Sequence, residues 1–63
     1  MIKTLMVNKK IDFSTLKNES GINFKRLLSL MYCSEDITLI ESVSIANACN
    51  LSEEEYIKCF INR

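Results

Sequence analysis

Apolar residues fall in short clusters at helical spacing, and nearly every cluster follows a residue suited to cap a helix. Ile2, Leu5 and Met6 share one face, and Lys9-Lys10 suit the end of that first helix, where a cation meets the negative pole of the helix dipole. Asp12 is placed to cap a second helix from Phe13 to about Glu19, closed by Ser20-Gly21, because glycine adopts positive φ at least cost. Asn23 is placed to cap a third, Phe24 to about Tyr32, with Leu27 and Leu30 pointing inward. Thr38-Leu39-Ile40-Glu41 has the Thr-x-x-Glu form of a capping box and predicts a fourth helix to Cys49. Ser52-Glu53-Glu54-Glu55 repeats the device ahead of a fifth. The pattern predicts an all-α, compact five-helix bundle, one domain over residues 1–63, with connections of about two to five residues.

Composition narrows the picture. Of 63 residues, 48% are apolar and 25% charged, with one Gly and no Pro, which is too hydrophobic for disorder and too poor in turn formers for a β fold. A chain this short buries only about 60% of its unfolded surface, so a partner subunit would add stability. The absence of His removes the commonest general base and metal ligand. Cys33, Cys49 and Cys59 form no Cys-x-x-Cys pair, so they are expected as small core hydrophobes with reduced thiols, in keeping with the cytoplasm. No catalytic residue, metal or cofactor is expected, and hence no enzyme. Residues 1–11 are broken by Lys3, Asn8, Lys9 and Lys10 and offer no signal-peptide core, and no apolar run approaches the roughly 18 residues of a membrane span.

Charge is segregated although it sums to zero. Residues 1–32 hold Lys3, Lys9, Lys10, Lys17, Lys25 and Arg26 against Asp12 and Glu19. Residues 33–63 hold Lys58 and Arg63 against Glu35, Asp36, Glu41, Glu53, Glu54 and Glu55. A basic half can aim one face at a polyanion; ordinary surface charge that happens to segregate is the plainer alternative.

The order of features resembles the lambda-repressor/Cro-like helix-turn-helix domains. Leu16 lies four residues after Asp12 and five before Gly21, and Gly21-Ile22-Asn23 follows, similar to that family's turn between its second and third helices. Ile45-Ala46-Asn47-Ala48-Cys49-Asn50-Leu51-Ser52-Glu53-Glu54-Glu55-Tyr56 resembles its passage from the fourth helix to the fifth. The sequence departs from the family at three places. Lys17 stands where the family has Ala, Phe13 where it often has a phosphate-gripping Gln, and Ser42 where it has a large aliphatic, with Val43 beside it to compensate.

The resemblance implies that the third helix presents Phe24, Lys25, Leu28 and Ser29 outward, with Asn23 at its start and Ile22, Leu27 and Leu30 in the core. On double-stranded DNA, Asn23 and Lys25 would read bases and Phe24 would touch thymine methyls, while Lys9, Lys10, Lys17 and Arg26 would meet phosphates. This describes a non-enzymatic transcriptional regulator. Alternatively, Phe24, Leu28 and Met31 form an apolar ridge that docks a regulatory protein, as in a phage or mobile-element modulator or antirepressor. In a third reading the helix is rotated and buries them.

The remaining features divide in the same way. Glu53-Glu54-Glu55 is expected to stabilise its own helix start, and Tyr32 and Tyr56 to cap the core. Ile37, Leu39, Ile40, Val43, Ile45 and Cys49 exceed what one buried stripe needs; with Ile57, Phe60 and Ile61 they point to a homodimer, or to a helix buried on two sides.

Overall fold

The helices begin where their caps predict. In the computed structural model, which describes residues 2–33 and 37–61, α1 spans Ile2–Lys9, α2 Phe13–Ser20, α3 Phe24–Tyr32, α4 Leu39–Ala48 and α5 Glu53–Tyr56. Glu35, Asp36 and Arg63, counted in the charge asymmetry above, lie outside the described residues. No strand occurs among the described residues. The radius of gyration is 10.4 Å, against about 10.6 Å expected for a compact chain of this length.

Both capping boxes form. The Thr38 hydroxyl accepts from the Glu41 N–H at 3.2 Å and the Glu41 carboxylate accepts from the Thr38 N–H at 3.0 Å. Ser52 and Glu55 reproduce these two distances. Three helices close on a left-handed residue: Gly21 (φ 72°) after α2, and non-glycine Lys10 (φ 54°) and Asn50 (φ 55°) after α1 and α4. At Lys10, the Lys10 N–H donates to the Val7 carbonyl and the Ile11 N–H to the Met6 carbonyl. Asn50 and Leu51 bond Asn47 and Ala46 in the same way. These are Schellman motifs, which satisfy carbonyls that a helix end would otherwise leave open.

Each helical stretch except the short α5 sends one or two apolar side chains into a single core: Ile2 and Leu5, Leu16, Leu27 and Leu30, Ile45 with Cys49, and Phe60. Leu16, Leu27, Leu30 and Ile45 are wholly excluded from solvent. Burying such side chains stabilises the fold by about 1.5–3 kcal/mol each. Between separate helices, α2 against α4 is the most extensive contact.

Five expectations are corrected. The fifth helix is α-helical only to Tyr56 and widens into a π-helical segment, Ile57–Ile61, where Phe60 docks into the core with its ring 5.4 Å from that of Tyr56. Val43 does not substitute for the missing aliphatic at Ser42: Val43 is exposed and Ser42 is buried. The Ser42 hydroxyl donates to the Leu39 carbonyl at 2.7 Å, which leaves the Tyr56 hydroxyl to donate to Ser42 at 2.8 Å. A polar link therefore stands where packing was expected, and it satisfies the buried Ser42 hydroxyl and the half-buried Tyr56 hydroxyl. Tyr56 caps the core as expected, but Tyr32 is exposed, with the Lys3 ammonium 5.3 Å from its ring centre. Cys33 is exposed at the end of α3, whereas Cys49 is buried and Cys59 half-buried. Finally, the rotation that would bury Phe24 and Leu28 is not adopted: they are 51% and 38% exposed.

Candidate nucleic-acid interface

The connection from α2 to α3 is three residues, and each has a distinct local cause. The Gly21 N–H donates to the Lys17 carbonyl at 3.0 Å and closes α2. A side-chain carbon at Gly21 would meet nothing within 4 Å, so glycine serves the backbone angle here and not close packing. Ile22 packs against the core while its N–H donates to the Ser20 hydroxyl at 3.3 Å. Asn23 then caps α3, its Oδ1 accepting from the Lys25 N–H at 2.9 Å and the Arg26 N–H at 3.4 Å. At the start of α2, the Asp12 carboxylate accepts from the Thr15 N–H at 2.7 Å, and that bond lowers its pKa.

Leu27 and Leu30 anchor α3 from beneath, which leaves Asn23, Phe24, Lys25, Leu28 and Ser29 together on the exposed side. Phe24 meets Phe13, the first residue of α2, edge to face at 5.4 Å. Met31 does not continue this ridge; it is half-buried against the core. The Asn23 cap also has a chemical consequence. With Oδ1 occupied by two amide protons, only its NH2 is left to point outward, so the two-pronged recognition of adenine by asparagine is closed while the cap holds.

The cations divide into two groups. Arg26 reaches from α3 to α4, its Nε donating to Glu41 Oε2 at 2.6 Å and its Nη2 to Oε1 at 2.9 Å. Chiefly through that bond, the Glu41 carboxyl is pulled down from 4.5 to about 2. Lys9 donates to Glu55 at 2.8 Å and is the main cause of that carboxyl's lowered pKa. By contrast, Lys10 and Lys25 are exposed, Lys17 is half-buried at the end of α2, and none of the three forms an ion pair among the described residues. Sequence reasoning recognised Glu41 and Glu55 as caps but missed them as counter-ions, and it missed Phe13 as the ring partner of Phe24. The signal for the counter-ions lay in the third helical position of each capping box, where a glutamate is already held in place.

A second exposed surface is apolar. Leu39 (70% exposed), Ile40 (79%), Val43, Ile57 and Ile61 all face solvent. Leu39 and Ile61 border a shared hollow with Ile37, Tyr56 and Phe60. No cluster of three or more His, Cys, Asp or Glu side chains suited to a metal ion occurs among the described residues. No described helix is long and apolar enough to cross a membrane. The chain matches no protein-family model, no curated protein and no solved structure.

Proposed function

We propose that the chain is a small, non-enzymatic DNA-binding regulator of the lambda-repressor/Cro-like helix-turn-helix type, acting in the cytoplasm with α3 as its recognition helix. One observation carries the reading. The short turn at Gly21 delivers α3 with its apolar side anchored and with Asn23, Phe24, Lys25, Leu28 and Ser29 open to solvent. Lys25, Ser29 and the Asn23 NH2 supply hydrogen bonds to base edges or backbone, and Phe24 contacts thymine methyls. Lys10 and Lys17 neutralise phosphates, whereas Lys9 and Arg26 hold the fold through Glu55 and Glu41. Two copies associate through the apolar surface of α4 and the C-terminal segment, so that a two-fold protein meets a two-fold site.

The test is titration of a labelled generic duplex, followed by fluorescence anisotropy at about 50 and about 200 mM salt. Three lysines per protomer, or six per dimer, imply a log–log salt slope of about −5 and an affinity loss of two or more decades. Absence of binding at the lower salt overturns the reading.

A second reading is favoured by the exposed Phe24–Leu28 ridge with Phe13 at its edge: a module on the same fold that captures a regulatory protein. It predicts negligible DNA affinity, and loss of partner binding in Phe24→Ala or Leu28→Ala.

A further inference from the structure

A shallow hollow lies away from the exposed residues of α3 named above. Met6 and Val7 of α1, Ile11 after it and Met31 in the last turn of α3 line a hollow of about 570 Å³. Met6, Ile11 and Met31 each pack one side on the core and present the other to this space, while Val7 stands 76% exposed at its edge. Methionine suits such a surface, because its unbranched, polarisable side chain conforms to different apolar partners.

Charge frames the hollow. Lys3 lies in the first turn of α1 and Lys10 just past the last; they are seven positions and about 10 Å apart along the helix axis. The Lys3 ammonium is held over the Tyr32 ring, and Lys10 is exposed without an ion pair among the described residues. Asp12 also borders the space; its exposed carboxylate accepts from the Thr15 N–H through Oδ1 and remains an anion, so the rim carries two cations and one anion. The arrangement is thus an apolar floor bordered by Lys3 and Lys10, seven positions apart, with Asp12 also on its rim.

We propose that this hollow receives an amphipathic helix of a partner protein, one that carries two carboxylates about two turns apart with apolar residues between them. Carboxylates seven positions apart on such a helix repeat the spacing of Lys3 and Lys10, and the side chains at the intervening third and fourth positions fall on the methionine floor. A nucleic-acid backbone would match the lysines but leave the apolar floor uncovered. A single-headed amphiphile would engage one lysine and not the other. The site uses α1 and the far end of α3 and shares Lys10 alone with the residues assigned to DNA.

The probe is a synthetic helical peptide with Leu at the inner positions and Glu at two positions seven apart, compared with the same peptide carrying Lys at both. Titration into the ¹⁵N-labelled protein is expected to move the amide signals of Lys3, Met6, Val7, Lys10 and Met31, with the Lys peptide bound at least about tenfold more weakly. The solvent-exposed substitutions Val7→Glu and Lys10→Glu are expected to weaken the Glu peptide by a similar factor, with Tm lowered by only a few °C, the cost of an anion at the negative end of α1. Equal affinity for the two peptides overturns the proposal, as do shifts centred on Phe24 and Leu28 or on α4. No response to the Glu peptide at about 1 mM overturns it as well. The peptide titration contains no DNA and the DNA titration no peptide, so the two readings fail separately although both use Lys10.

Discussion

The starts of α4 and α5 use the same device and differ in what completes it. Each is a Ser/Thr-x-x-Glu capping box with the same pair of hydrogen-bond distances, and each glutamate takes a cation from the amino-terminal half of the chain. At α4 the cation is Arg26, fifteen positions away on α3, whose planar fork meets both oxygens of a glutamate that is only 17% exposed. At α5 it is Lys9, forty-six positions away on α1, a single donor to a carboxylate that is 44% exposed. A two-pronged, shielded contact fixes the angle between two helices, whereas a single exposed one is screened by water and salt. The first pair therefore locks α3 onto α4, and the second is a weaker tie between α1 and α5. Both neutralise charge that the composition alone would assign to a basic face.

The largest expected effect comes from removing the shared carboxylate at α4. Glu41→Ala removes half the capping box and both bonds to Arg26, a loss of about 1–2 kcal/mol after allowance for screening. In a domain of this size that lowers Tm by about 5–15 °C. If thermal unfolding shows no greater loss for Glu41→Ala than for Glu55→Ala, the two helix starts are equivalent and the contrast fails.

Acid sharpens the same contrast. Glu41 titrates near 2 in the folded protein and near 4.5 when unfolded, so its contribution is fully present above about 4.5 and is lost as pH falls toward 2. In Arg26→Ala the folded value returns toward the ordinary range, and this acid-dependent contribution largely vanishes. The carboxyl carbon shift of Glu41, followed by NMR between pH 2 and 6, reads this directly.

A third comparison separates neighbours on α3. Lys25→Ala is expected to weaken DNA binding several-fold, about 1 kcal/mol, and to reduce the salt slope by about 1 per protomer without moving Tm. Arg26→Ala is expected to lower Tm while leaving the salt slope unchanged. If Arg26→Ala flattens the slope and spares Tm, Arg26 is a phosphate ligand and not a strut. The smallest effect belongs to Lys9→Ala, a Tm change within about 2–3 °C that fades in high salt.

Much of this fold is legible residue by residue. Asp12, Asn23, Thr38 and Ser52 announce the four capped helix starts, Gly21 the turn into α3, and Leu16, Leu27, Leu30 and Ile45 the buried stripes. The outward set on α3 is what the family resemblance implies, and those residues are exposed opposite the buried Leu27 and Leu30. Less visible were the left-handed closures at Lys10 and Asn50. Each is stabilised by its Schellman bonds, and no glycine marks the site.

What the sequence by itself determined is therefore what lies within one helical turn, the caps and the periodicity. These depend on contacts between residues three or four apart, whose geometry any helix supplies. Only the tertiary structure decided that Arg26 and Lys9 would be drawn to Glu41 and Glu55, that Ser42 and not Val43 would turn inward to meet Tyr56, and that Cys33 and Tyr32 would stay outside. It also decided where the last helix would widen around Phe60. Those outcomes depend on how each helix is rotated and docked against the others. Adjacent positions on a helix point about 100° apart, so the rotation at which a helix docks decides which of two neighbours faces the core.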